Sequence, residues 1–372
     1  MKKIISIITL AILILIGSCV SEDRFERVNR GKTAITPESL AQDYNFGLRF
    51  TNLQRDASLG HGDALNTEER GSDSQLNHTG SPSDLQGGNR DNSRYWVNEW
   101  WNETPWVCIY DRVVSIARAN KMQAEEANLP LFAAWAELFK IMGLSRLTLY
   151  YGPIVYSEYG EQKSQFDYDS EPDIYRQIFE ALDYIQGEFQ TNLDEKSTGL
   201  VKFDQIYGGN LAKWLKYINT LRLQHAMRIV KADESWAKRE YDKAMSYKDN
   251  IGFILTNEDN YKAPLLGGWY PLFQFSESWG DSRMSSGLEE VLVPYKDPRL
   301  HVWFDEVAPA NRTTLLVNDR DPGWAYKGIR HGGWIRNGKE ERVPYSKVSG
   351  YFDHRGSGFG GGGFYRRGVT AS

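Results

Sequence analysis

Between Val107 and Met245 apolar residues return every three or four positions in successive stretches, each closed by turn residues, and this recurrence dictates a series of packed α-helices. Val107, Ile109, Tyr110, Val113, Val114 and Ala117 form the first stripe, and Leu131, Trp135, Leu138, Phe139 and Met142 form the second. Both read as amphipathic helices. The second runs on through Leu147 and Tyr150 to Gly152-Pro153, where a residue tolerant of left-handed backbone precedes one that cannot continue a helix. Ser170-Glu171-Pro172-Asp173 opens a third helix: Ser170 can cap it, Pro172 carries a preset φ in the first turn, and Asp173 can complete a capping box. Ile174, Ile178, Leu182, Ile185 and Phe189 supply its inner face. A fourth helix is expected from about Leu211 to Val230 with Leu211, Trp214, Leu215, Ile218, Leu221 and His225 inward, and Ser235 is expected to cap a fifth that holds Tyr241, Ala244 and Met245. Consecutive helices joined by turns pair in the manner of tetratricopeptide hairpins, although the spacing keeps no strict period. The expected fold class is therefore mainly α, with an irregular helical core over residues 107–250.

On either side of that core the periodicity fails. A helix is expected to start near Pro37. Residues 56–94 are rich in Gly, Asp, Asn and Ser with few apolar residues, and they are expected to form a long surface loop rather than core. Beyond Asn250 aromatics stand among turn residues, as in Trp269-Tyr270-Pro271, Phe273, Phe275, Trp279-Gly280, Trp303, Trp324 and Trp334. Residues 251–372 read as a loop-rich half with short strands, and the Gly-rich run 356–368 has no capacity to form core.

The N-terminus carries a targeting pattern. Lys2 and Lys3 precede an apolar stretch from Ile4 to Ile16, which Gly17-Ser18-Cys19 closes with small residues before a cysteine. A membrane-spanning helix needs about 20 apolar residues, so residues 1–18 read as a signal peptide. The order of residues before Cys19 resembles a bacterial lipobox, whose thiol becomes acylated and anchors the chain to a membrane. Residues 19–36 are polar and aperiodic, as expected of a flexible tether, and 37–372 are expected to form one domain. Cys108 is then left without a disulfide partner, and its place on an apolar helix face indicates a buried, inert thiol. The formal charge of −5 includes no basic tract, which argues against a nucleic-acid partner.

The chain lacks a G-x-S-x-G elbow, an H-E-x-x-H pair, a phosphate-binding loop and a dinucleotide fingerprint set between a strand and a helix. Its six His are scattered, and His61-Gly62-Asp63 reads as solvated loop. Glu289-Glu290 and Glu340-Glu341 are formally available as carboxylates for a glycoside hydrolase, and solvated charge is the plainer reading of both pairs. Asp167 to Asp173 is rich in oxygen ligands but lacks EF-hand spacing. No cofactor and no metal is expected.

The aromatics carry more information. Trp96, Trp100, Trp101 and Trp106 crowd the junction between the polar stretch and the first helix, with Arg94, Asn98 and Asn102 beside them. Indoles stack on the C–H faces of sugar rings while amides bond the hydroxyls. Helical spacing puts Trp96 and Trp100 on one face and Trp101 on another. The candidate ligand contacts are Trp96, Asn98, Trp100 and Trp101, with Trp269, Trp279 and Trp324 from the loop-rich half.

Several landmarks, taken in order, resemble the SusD/RagB nutrient-binding outer-membrane lipoproteins. Tyr151-Gly152-Pro153-Ile154-Val155-Tyr156-Ser157-Glu158 is similar to the stretch that ends a helix in that family, with Pro153 where Asp is usual. Asp173-Ile174-Tyr175 with Leu182-Asp183 resembles the next helix. Gly208-Gly209-Asn210-Leu211-Ala212-Lys213-Trp214, leading to Asn219-Thr220-Leu221-Arg222-Leu223 and Met227-Arg228, resembles its most distinctive segment, and Asp297-Pro298-Arg299-Leu300 a later one. Ser21-Glu22-Asp23 after Cys19 resembles the acidic signal that sends Bacteroidetes lipoproteins to the cell surface. The resemblance implies a SusD-like fold and a surface lipoprotein that binds oligosaccharide or peptide and passes it to a TonB-dependent, SusC-like transporter. It also implies further helices beyond Ser372, so the reading frame is expected to be truncated. An extracellular glycoside hydrolase and a helical-repeat scaffold for proteins are the alternatives.

Overall fold

The computed structural model describes residues 43–57 (backbone alone for 43–48), 73–83, 94–96, 98–193, 203–263, 275–276, 279–309, 325–332 and 344–349. The expected signal peptide, Cys19, the tether and the helix start near Pro37 lie outside these residues. The chain divides into compact units at residues 1–46 and 47–372, and the side chains discussed below belong to the second.

Helix α1 spans Asp43–Asp56. The first predicted stripe becomes one unbroken rod in which α2 (Glu99–Cys108) passes through a π-helical segment (Ile109–Val114) into α3 (Ser115–Glu126). In the wide turn the Ser115 N–H donates to the Tyr110 carbonyl, so one extra residue enters and the inner face slips by one position. Trp101, Pro105 and Cys108 face inward before the slip, and Val113, Ala117, Asn120 and Ala124 after it. Val107, expected to begin the stripe, falls on the outer face for this reason.

Helix α4 (Pro130–Tyr151) departs from the amphipathic expectation, because it is buried on nearly every side. It packs against α3 on one side and α5 (Glu171–Thr191) on the other, and small residues such as Ala133, Ala134, Ala136 and Gly143 let these neighbours approach closely. The ring of Phe50 from α1 stacks on Trp135 at 4.5 Å, and α6 (Leu211–Ile229) brings Trp214 edge-on to both Trp135 and Phe139, at 5.7 and 6.0 Å. Glu137 is the one carboxylate inside α4. Burial works to raise its pKa, but Lys140 at 2.8 Å and Lys121 at 3.0 Å outweigh it and hold the group below the usual carboxylate value. The helix ends as expected: Gly152 takes φ +75°, and the Thr148 hydroxyl donates to its carbonyl at 2.7 Å.

Helix α5 starts at the Ser170 cap, whose hydroxyl accepts from the Asp173 N–H, and Ile174, Ile178, Leu182, Ile185 and Phe189 are fully buried. Helix α6 follows an anchored turn. The Asp204 carboxylate accepts from the backbone N–H groups of Ile206, Tyr207 and Gly209 and from the Trp214 indole at 2.8 Å. Asn210 caps α6 by accepting from the Lys213 N–H at 3.1 Å. The Gly208–Trp214 segment thus sets the start of α6 under the aromatic core. Helix α7 (Glu234–Ser246) is capped by Asp233, not Ser235. Only Asp233 has extended backbone, at φ −149° and ψ 93°, which aims its carboxylate at the Trp236 N–H, whereas Ser235 is already inside the first turn.

Helices α5, α6 and α7 are tied by Arg222, which is fully buried and donates to Asp183 at 2.5 Å and Glu240 at 2.6 Å. One turn later His225 is buried against the edges of Tyr175 and Phe179, and burial, with help from Arg228 and Arg222, lowers its pKa to about 3. A histidine that stays neutral in the folded state is charged in the unfolded chain below about pH 6.5. Its stabilising contribution is therefore whole above that pH and is lost as pH falls toward about 3. His225→Leu is expected to flatten this decline, so that the urea midpoint changes less between pH 6.5 and 5 than in the wild type. The difference should correspond to about 1.5 kcal/mol, and parallel curves would reject the assignment.

Part of the polar stretch expected to remain on the surface is buried among the described residues. Thr79–Gly80 forms strand β1 and pairs antiparallel with β2 (Arg283–Met284), and residues 79–83 are all buried. Polarity misled here because the packing is between backbones: a Cβ on Gly80 would lie 2.5 Å from Ile329 Cγ2. Ser285 N–H donates to the His78 carbonyl, and Ser286 N–H to that of Ile329 at 2.7 Å. Helix α8 (Ser286–Leu292) and the single turn α9 (Leu300–Trp303) close a second apolar cluster of Met284, Leu292, Leu300, Phe304 and Val348. The Asp297-Pro298-Arg299 motif starts α9. Arg299 donates to the Asp297 carboxylate from its own N–H and its guanidinium, which brings that carboxyl down to about 2, and the guanidinium also lies over the Trp303 ring.

Candidate ligand-binding surface

The aromatic junction ahead of α2 is built on a helix cap. Asn98 is extended at φ −82° and ψ 119°, and its side-chain oxygen accepts from the Trp101 N–H at 3.1 Å. Its amide oxygen is thus occupied in starting the helix, and the residue is buried. From this fixed point the tryptophans diverge. Trp101 turns inward and is 4 % exposed, whereas Trp100 is 63 % and Trp96 53 % exposed. Trp96 precedes the helix, so its exposure is shared with Trp100 without being set by helical spacing. Tyr95, which the sequence reading passed over, is 72 % exposed and edge-on to His331 at 6.1 Å. Its signal was its place in the run Arg94-Tyr95-Trp96.

A second group of aromatics surrounds Trp106. Its ring meets Tyr110 at 4.9 Å, Tyr151 at 5.3 Å and Tyr168 at 5.9 Å, and Tyr110 stacks on Tyr159 at 4.9 Å. Most of the hydroxyls in this group serve the fold. The Tyr151 hydroxyl donates to the Asn102 carbonyl, that of Tyr110 to Val155 at 2.6 Å, and that of Tyr159 to the Tyr110 carbonyl at 3.2 Å. Burial raises the pKa of all three, pushing Tyr151 up to about 12, so they stay neutral donors. These tyrosines come from three chain segments, and no local pattern marked them as neighbours.

The connection between α4 and α5 supports this group. Ile154 and Asp169 form an antiparallel bridge, and the Asp169 carboxylate accepts from the N–H groups of Tyr156 and Ser157 at 2.8 and 2.9 Å. Burial opposes the charge on Asp169, but the hydrogen bonds from Ser157 and Tyr156 prevail and hold its pKa low. Glu158 accepts from Lys163 and from the Asp167 N–H. The carboxylates of Asp169 and Glu158 are thus each taken up by two N–H donors or more of this connection. Among the described residues no group of three His, Cys, Asp or Glu side chains is placed to hold a metal ion.

In the loop-rich half Trp279 is half-exposed and meets Phe275 edge-on at 6.5 Å, while Trp269 and Trp324 lie outside the described residues. Glu289, read from sequence as solvated, is buried: its carboxylate accepts from the Gly328 N–H at 2.7 Å and faces Lys327 at 3.4 Å. Glu290 is exposed, and Glu340-Glu341 and His61 to Asp63 lie outside the described residues.

Comparison with known proteins gives this geometry a context. The family described as SusD-like, Susd and RagB outer membrane lipoprotein, matches residues 27–353. A chitin-binding SusD homologue from Flavobacterium johnsoniae is 28 % identical with a TM-score of 0.72, over 84 % of this chain and 62 % of its own. A SusD homologue from Bacteroides uniformis is 26 % identical with a TM-score of 0.69, over 82 % of this chain and 61 % of its own. A further chitin-binding protein is 25 % identical with a TM-score of 0.69, over 84 % of this chain and 65 % of its own. The chain therefore spans under two thirds of the length of these solved structures. No curated protein matches it.

Proposed function

This chain belongs to the SusD-like family of outer-membrane lipoproteins, and on that premise we propose that it captures an oligosaccharide and delivers it, uncleaved, to a TonB-dependent, SusC-like transporter. In this reading Cys19 carries the lipid that anchors the protein at the outer face of the outer membrane, with the tether behind it. Among the described residues no helix is long and apolar enough to cross a membrane.

The observation that carries the binding reading is the exposure of Trp96 and Trp100 at 53 and 63 % beside a capped, rigid helix start. Large indoles left in water raise the free energy of the unliganded protein, and a flat apolar ligand face removes that surface from water. The two chitin-binding relatives make an oligomer of β-linked N-acetylglucosamine the first ligand to try, since each ring offers an apolar face and acetamido and hydroxyl groups for hydrogen bonds. Asn98 supports the surface as a helix cap, and Trp101 supports it from below. Trp269, Trp279 and Trp324 are proposed as contacts from the loop-rich half.

Titration calorimetry with the N-acetylglucosamine hexamer tests the proposal. Trp100→Ala is expected to weaken binding by about tenfold, the loss of about 1.4 kcal/mol of stacking and burial, with the melting temperature nearly unchanged. Trp101→Ala is expected to act the other way, lowering stability before affinity, because its indole is core. Release of shorter sugars during the titration would replace capture with hydrolysis, and full affinity in Trp100→Ala would remove this surface from the site.

A further inference from the structure

Resting on the oligosaccharide-capture reading above, we propose that Tyr95 is a further ligand-contacting residue and that His331 positions it. Two independent observations on Tyr95 have no explanation in folding alone. Its backbone lies in the left-handed region at φ +55°, which a residue with a bulky side chain adopts only at a cost. Its ring is 72 % exposed, so little burial offsets that cost. Glycine or asparagine would satisfy the same backbone more readily. A strained, solvent-facing aromatic is therefore a feature that the fold maintains against its own stability, the pattern expected where a side chain is aimed at something outside the chain.

Where the ring goes is set from far along the sequence. His331 meets it edge-on at 6.1 Å, with the ring planes at 73°. His331 is itself placed by the neighbouring Ile329, which bridges Ser285 and bonds Met284 of β2 through its backbone at 2.8 Å. Burial and the nearby Arg94 lower the His331 pKa, so a neutral ring faces Tyr95 at ordinary pH. The ring stays 72 % exposed beside His331, so most of its surface is open to a ligand. Immediately after it come Trp96 and the Asn98-capped start of α2 with Trp100. Three exposed aromatics within six residues thus stand on a support fixed by a helix cap at one end and by the β2 region at the other. A phenol adds to two indoles a flat face for a pyranose ring and a hydroxyl that can donate to a sugar oxygen.

The test pairs stability with affinity in the full chain, using the N-acetylglucosamine hexamer as probe. Tyr95→Gly and Tyr95→Asn should melt at the wild-type temperature or about 1–2 °C above it, since both residues accept the turn, and should bind the hexamer about tenfold more weakly. Tyr95→Phe should stay within about threefold of wild type if stacking dominates. His331→Ala should weaken binding, and His331→Phe, which retains the edge contact, should restore it. A lowered melting point with wild-type affinity in the Gly and Asn variants would show the ring to be structural and overturn the proposal. So would unchanged affinity in those variants while Trp100→Ala loses binding, which leaves the capture reading standing. A wild-type protein that ignores the hexamer removes the ligand assignment of the preceding section together with this one.

Discussion

Trp135→Ala is expected to lower the unfolding free energy by about 3–5 kcal/mol, the range for removing a large aromatic from a core that cannot collapse around the gap. The indole is fully buried in the second turn of α4 and touches rings from three helices: Phe50 of α1 stacked at 4.5 Å, Phe132 and Phe139 of its own helix, and Trp214 of α6 edge-on at 5.7 Å. Rings of this size have few alternative rotamers in a packed interior, so the cavity persists and its lining loses dispersion contacts. Urea unfolding followed by circular dichroism should show a lower midpoint with the slope retained. Trp135→Phe should recover part of the loss, since it preserves the stack on Phe50. A midpoint shift worth under about 1 kcal/mol for the alanine variant would mean that the aromatic core around α4 is looser than this packing requires.

Replacing Arg222 comes next in size. Its guanidinium is fully buried and serves Asp183 on α5 and Glu240 on α7, while its Nε finds no partner. Arg222→Ala removes the cation and leaves the Glu240 carboxylate, which is mostly buried, beside an empty volume. Asp183 is partly exposed and keeps Lys243 at 2.5 Å, so most of the penalty falls on Glu240. The expected loss is about 2–4 kcal/mol, toward the lower part of the range for breaking a buried pair, because one of the two anions retains water and a second cation. Arg222→Met fills the volume without the charge and should cost less. Combining it with Glu240→Gln should recover stability further, since no unpaired anion then remains. Equal losses for Ala and Met would assign the effect to charge alone. A loss near zero for Ala would mean that the three helices are held by their apolar faces without it.

The stretches that could be read correctly from the chain are those in which neighbours along the sequence are also neighbours in space. Ile174 to Phe189 on α5, the Ser170 cap and the stop at Gly152-Pro153 all follow from the 3.6-residue period and from which residues can end or begin a helix. The same reasoning failed for α4, because a stripe of large residues says nothing about what packs on the small ones. Gly143 and the alanines are buried by other helices, with Ile109 and Val113 within about 3 Å of where a Gly143 Cβ would stand. It failed for Thr79 to Ser83 as well, since a polar segment becomes interior once Arg283 and Met284 arrive to pair with it. Ser235 and Asp233 are both good caps by composition, and only the backbone torsions chose between them.

The candidate site divides along the same line. That aromatics gather between Trp96 and Trp106 was visible in the one-dimensional order of residues, and so was the relation to the SusD-like outer-membrane lipoproteins, because ordered motifs are a linear property. Which of those aromatics face water could not be read there. Trp100 and Trp101 are adjacent and chemically identical, yet the Asn98 cap sets a helical phase that puts one outside and the other in the core. Tyr95 and His331 meet across most of the chain's length. Local free energies, each decided within a turn or two of backbone, specify where helices form and end. The burial of a given side chain depends on every element that packs over it, and so it was settled only when distant segments closed on one another.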